Sequence, residues 1–90
     1  MTPRAISLAE EVVKYLTVLK SEDQRLAAMS IANIQNDIED ARQGDPEMIW
    51  RLQYSLGSKG ILDLHWSPET YTALSRLCEA FHEALTDDGQ

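Results

Sequence analysis

The chain has 90 residues, 43% of them apolar and 26% charged, with 15 acidic side chains against 8 basic ones and a formal charge of −7. That length supports a single domain over residues 1–90, with a thin core, because a chain of this size buries only roughly 60–65% of its extended surface. The composition excludes a disordered chain, the acidic balance leaves no basic face for direct nucleic-acid binding, and no apolar run approaches the roughly 18 residues of a membrane span.

The charge deficit is spread along the chain: residues 1–45 carry 5 basic and 8 acidic side chains, residues 46–90 carry 3 and 7. Such a surface suits solubility or attraction to a basic partner. Cys78, the single cysteine, cannot form an internal disulfide, and Met1-Thr2-Pro3-Arg4 lacks the long apolar stretch of a secretory leader. A cytoplasmic location is therefore expected.

Thr2 and Pro3 read as N-cap and first position of a helix, because proline has no N–H to satisfy there and its φ is already helical. This first helix should run to about Leu19. Ala5, Leu8, Ala9, Val12, Leu16 and Leu19 share one face with Tyr15 beside them, and Ile6 and Val13 widen the arc. Ser21-Glu22-Asp23-Gln24 is a capping-box pattern that opens a second helix. Its seam of Ala27, Ile31, Ile34, Ile38 and Ala41 fits an antiparallel pairing with the first, and Gly44 is suited to a left-handed stop.

Asp45-Pro46 opens a short third helix by the same cap-then-proline logic, with its end expected at Gly57. Met48, Ile49, Leu52 and Leu56 make one face, while Trp50 and Tyr54, four apart, make a second. A short helix with two apolar faces is either sandwiched or leaves one face open to a partner. Ser67-Pro68-Glu69 opens a fourth helix, whose stripe of Tyr71, Leu74, Cys78, Phe81 and Leu85 is broadened by Leu77, Ala80 and Ala84. Thr86 to Gln90 reads as a solvated or frayed tail. The expected fold is all-α: an antiparallel helical hairpin, a short third helix, an extended connector and a C-terminal helix.

The connector holds the least helical stretch, "YSLGSKGILDLHW", residues 54–66. Gly57-Ser58-Lys59-Gly60 superficially suggests a phosphate loop, but its lysine precedes the second glycine and a helix, not a strand, precedes the first. A helix stop at Gly57 and a turn at Gly60 is the plainer expectation. From Ile61 to Trp66 the residues alternate, with Leu62, Leu64 and Trp66 on one side and Ile61, Asp63 and His65 on the other. The stretch is either an extended connector plugged into the helices by the first set, or an edge that another chain can pair with.

No catalytic or metal constellation emerges. Asp63 and His65 could orient an imidazole, but no nucleophile is tied to them by sequence. Cys78 and His82 have metal-ligand spacing, but a core cysteine and a border histidine are the plainer reading. Residues 37–47 gather five acids (Asp37, Glu39, Asp40, Asp45 and Glu47) against Arg42 alone, as a solvated helix end or a patch for a basic partner.

The size, charge and helix count are similar to those of colicin-type immunity proteins, although the third-helix aromatics are spaced as Trp50 and Tyr54 rather than adjacent. The likeness is one of architecture, and no residue roles are carried over from it. An acyl carrier protein is excluded by the absence of an Asp-Ser-Leu site for a phosphopantetheine arm. The expected function is a non-catalytic protein-binding module, an acidic inhibitor, immunity-like protein or adaptor, without cofactor or metal. Trp50, Tyr54, Asp37, Glu39, Asp40, Asp45, Glu47, His65 and Trp66 are its candidate contacts. A helical homodimer with a structural role is the alternative.

Overall fold

The computed structural model describes residues 3–19 and 23–88. Within them the chain forms helices α1 (Pro3–Thr17), α2 (Gln24–Arg42), α3 (Pro46–Ser55) and α4 (Pro68–Asp88), with a 3-10 turn at Ile61–Asp63 and no strand. None of the described helices is long and apolar enough to cross a membrane. The principal interfaces are α1 with α2, α1 with α4, and α2 with α3.

Helix α1 is thus packed on two sides, which explains its buried set: Ala5, Ala9, Val12 and Leu16 together with Val13 from the flank. A helix with two neighbours needs an arc wider than one heptad seam, and small residues at Ala5 and Ala9 let those neighbours approach. The helix stops at Thr17, short of Leu19. Helix α2 buries Ala27, Ile34, Ile38 and Ala41 as its spacing predicts, but Ser30 takes the inward position expected of Ile31, which is only half-buried. Gly44 closes the α2 end at φ 84°, its N–H donating to the Ala41 carbonyl at 3.0 Å. Asp45 then caps α3, its Oδ1 accepting from the Glu47 N–H at 3.0 Å.

Two of the expected N-caps, Thr2 and Ser21, lie outside the described residues. Asp23, at the α2 N-cap, makes no cap bond to its own helix. Its carboxylate turns instead to the start of α4, accepting the Ser67 N–H at 3.0 Å, the Ser67 hydroxyl at 2.6 Å and the Thr70 hydroxyl at 2.7 Å. This side chain is only 4% exposed. Three donors to one carboxylate stabilise its charged form, so hydrogen bonds from Ser67 and Thr70 hold its pKa below the ordinary 3.8. The same network rotates the first turn of α4. Thr70 is buried where Tyr71 was expected, and Tyr71 lies 46% exposed. Beyond that turn Leu74, Cys78, Phe81 and Ala84 form the inward stripe. The helix continues to Asp88 through the first part of the stretch read as a solvated or frayed tail, and Gly89 and Gln90 lie outside the described residues.

The connector departs most from expectation. The alternation fails: Ile61 is buried from the side assigned to solvent, while Leu64 is exposed from the side assigned to the core. The cause is the 3-10 turn, which brings the chain around within three residues instead of extending it. Trp66 is buried as expected, and its Nε1–H donates to the Ile61 carbonyl at 2.7 Å, closing the turn on itself. The docking-edge alternative loses its basis. The N–H groups of Leu62, Asp63, Leu64 and Trp66 donate to Gly57, Gly60, Ile61 and Leu64 carbonyls within the same segment.

Candidate functional site

Four constraints fix how α3 sits. Leu52 and Leu56 are fully buried, setting the rotation of the helix about its axis. The Ser55 hydroxyl donates to Asp37 Oδ2 at 3.0 Å, tying α3 to α2. His82 Nε2–H donates to the Leu56 carbonyl at 3.0 Å, so α4 satisfies one of the free carbonyls at the α3 C-terminus. Gly60 lies against the same end, so close that a Cβ there would meet the Ser55 and Tyr54 carbonyl oxygens at 2.4 and 2.5 Å. Leu56, rather than Gly57, is the residue that caps the helix.

With the back of α3 held this way, its front cannot be buried. Trp50 is 61% exposed and Tyr54 50%, their rings stacked at 5.7 Å between centroids and 29° between planes. Glu47 shares this face, since residues at i, i+3 and i+7 align along a helix. Its carboxylate meets Arg51 Nη2 at 3.5 Å, with both side chains largely in solvent. The sandwiched alternative for the second apolar face is therefore excluded, and the face is open.

The other candidate contacts scatter. Asp37 is half-buried at the α2–α3 seam, and Asp45 is occupied as the α3 cap. Glu39 lines a groove of about 520 Å³ between α1 and α2, beside the Arg42–Glu10 ion pair at 2.7 Å. Asp40 and His65 are exposed, and Trp66 is in the core, where it presents no surface to a partner. Only Glu47, Trp50 and Tyr54 come together on one helix face. The acidic run at residues 37–47 is thus divided between structural duties and two different surfaces.

Cys78 is 2% exposed, and burial pushes its thiol up to about 12, which favours the protonated form at neutral pH. His82 Nε2–H is engaged by the Leu56 carbonyl, so that nitrogen has no lone pair to offer a metal ion. Among the described residues no group of three or more His, Cys, Asp or Glu side chains is placed to hold a metal ion.

Sequence reasoning missed Asp23, Ser67 and Thr70 as one network, and His82 and Gly60 as the supports of α3. Asp23 and Thr70 are 47 residues apart and His82 and Leu56 are 26 apart, so no local pattern links them. Compared with protein-family models, characterised proteins and solved structures, the chain matches none. The likeness to immunity proteins accordingly rests on size, charge and helix count.

Proposed function

We propose that this chain is a non-catalytic binding module, an acidic inhibitor, immunity-like protein or adaptor that docks a larger protein with a basic surface through the outer face of α3. The carrying observation is the stacked, half-exposed Trp50–Tyr54 pair on a helix fixed from behind. Tryptophan and tyrosine dominate binding hot spots, because each removes a large area from water while immobilising few rotatable bonds. A platform already in place loses little further entropy on docking. The charge of −7 steers a basic protein toward it and repels an acidic one. A buried free thiol at Cys78 suits the reducing cytoplasm.

The test compares wild type with a Trp50→Ala/Tyr54→Ala variant. A partner recovered by crosslinking is purified and its affinity measured by calorimetry. Loss of the two anchors should weaken binding by about tenfold or more, with the variant still folded and unfolding cooperatively. An unchanged affinity refutes the assignment of this face. Light scattering across a concentration range addresses the helical-homodimer alternative, and a stable dimer abolished by the same variant would replace the present reading.

A further inference from the structure

We infer that the outer face of α3 takes an arginine side chain of the partner, its guanidinium lying on the Trp50 ring and its N–H groups reaching the Glu47 carboxylate. The inference rests on the binding-module reading and specifies the chemistry of the occupant.

Two observations and one point of chemistry lead to arginine. First, the aromatic surface and a carboxylate lie together, Glu47, Trp50 and Tyr54 falling at i, i+3 and i+7 on one helical face. An apolar side chain covering Trp50 would strip water from Glu47 without replacing its hydrogen bonds, which opposes docking. A cation satisfies both groups at once, the ring through its quadrupole and the carboxylate through charge. Second, a guanidinium already stands at this carboxylate: Arg51 Nη2 lies 3.5 Å from Glu47 Oε1. That pair is solvent-exposed and held at a long distance, so exchange for an incoming guanidinium is cheap. Third, a planar guanidinium can stack on a ring and present a fork of donors at its edge. The compact, strongly hydrated ammonium of lysine cannot do both.

A second copy of this chain is disfavoured as occupant. A two-fold contact through this face would oppose two chains that each carry −7.

The experiment is an NMR titration of the intact protein, following its two tryptophan indole N–H signals. The probes are two capped glycine-rich peptides that differ only in carrying arginine or lysine. Trp66 is an internal control, because its indole N–H is buried and bonded to the Ile61 carbonyl. The arginine peptide should shift the Trp50 signal selectively, with a Kd about threefold or more below that of the lysine peptide. The preference should persist as salt is raised, since stacking is not screened as the charge term is. Glu47→Gln should raise the Kd for the arginine peptide by a similar factor. Equal affinity for both peptides, no shift of Trp50 at millimolar peptide, or equal movement of both indoles overturns the arginine assignment. Those results leave the binding-module reading to the double-variant test above. Retention of the partner by Trp50→Ala/Tyr54→Ala overturns both.

Discussion

Gly60→Ala provides a sharp test of how α3 is held. A Cβ at this position would stand 2.4 Å from the Ser55 carbonyl oxygen, 2.5 Å from that of Tyr54 and 2.7 Å from the Ser55 carbonyl carbon, where ordinary contact begins near 3.4 Å. All three atoms are backbone, so no rotamer change relieves the clash. Either the 57–60 turn retreats by about 1 Å or the last turn of α3 opens. Retreat would strain the Asp63 N–H bond to the Gly60 carbonyl, now 3.0 Å, and draw Ile61 out of the core. Overpacking of this kind costs about 1–3 kcal/mol, offset by about 0.4–1 kcal/mol from the stiffer unfolded chain. The net loss, centred on about 1.3 kcal/mol, should lower the melting temperature by roughly 5–10 °C in a domain of this size. Circular dichroism melts of Gly60→Ala and Gly57→Ala side by side provide the assay. A Cβ at Gly57 would come no closer than 3.4 Å to the Gln53 and Tyr54 carbonyl oxygens, so that variant should stay within about 0.5 kcal/mol of wild type. If Gly60→Ala melts with wild type, or if the two variants fall equally, the turn is not seated against α3 and the argument fails.

Four further outcomes are expected. Trp50→Ala/Tyr54→Ala should lower stability by no more than about 1 kcal/mol by urea denaturation, since both rings are half-exposed or more; a loss above about 3 kcal/mol would place the pair in the core. Leu52→Ala, by contrast, removes a fully buried side chain and should cost about 2–5 kcal/mol in the same assay. The Asp23 carboxyl has a folded pKa below its ordinary 3.8, so its contribution is complete above that pH and is lost as pH falls through the folded value. Urea melts should therefore show wild type and Asp23→Asn well separated at neutral pH and converging below pH 3.8, while a constant gap would deny the Ser67 and Thr70 bonds to the charged form. Cys78 has the opposite sign: with its thiol raised from 9.0 to about 12, its contribution is complete below pH 9.0 and fades as pH climbs toward 12. At pH 8 (roughly the working pH of thiol reagents), alkylation should proceed only as fast as the protein opens, and labelling at the rate of a free thiol would contradict its burial.

What the sequence made legible was local. Asp45-Pro46 predicts a helix start because cap and proline act within one turn, and Gly44 predicts a stop because only glycine takes a positive φ there without strain. The buried seam of α2 was legible because its spacing repeats the helical period. The alternation at residues 61–66 misled because six residues are too few to separate a strand from a tight turn, and the deciding bond, from the Trp66 indole to the Ile61 carbonyl, joins a side chain to the backbone, which a pattern of apolar and polar residues does not encode. Tyr71 misled for a related reason. Hydrophobicity places it in the stripe, whereas the turn it belongs to is oriented by Asp23, a carboxylate from the start of another helix.

The open face of α3 follows from the same asymmetry. A ten-residue helix can direct only about half its circumference inward. Leu52 and Leu56 claim that half, and Ser55, His82 and Gly60 then fix the helix against α2, α4 and the following turn. Every one of these contacts lies behind or at the end of α3, and the exposed side chains of Trp50 and Tyr54 are not among them. Two large aromatic side chains with no part in the core of a thin-cored protein would lower solubility without return unless something covers them. Replacing both by alanine separates the two kinds of residue: stability should stay with Leu52, and binding should leave with Trp50 and Tyr54.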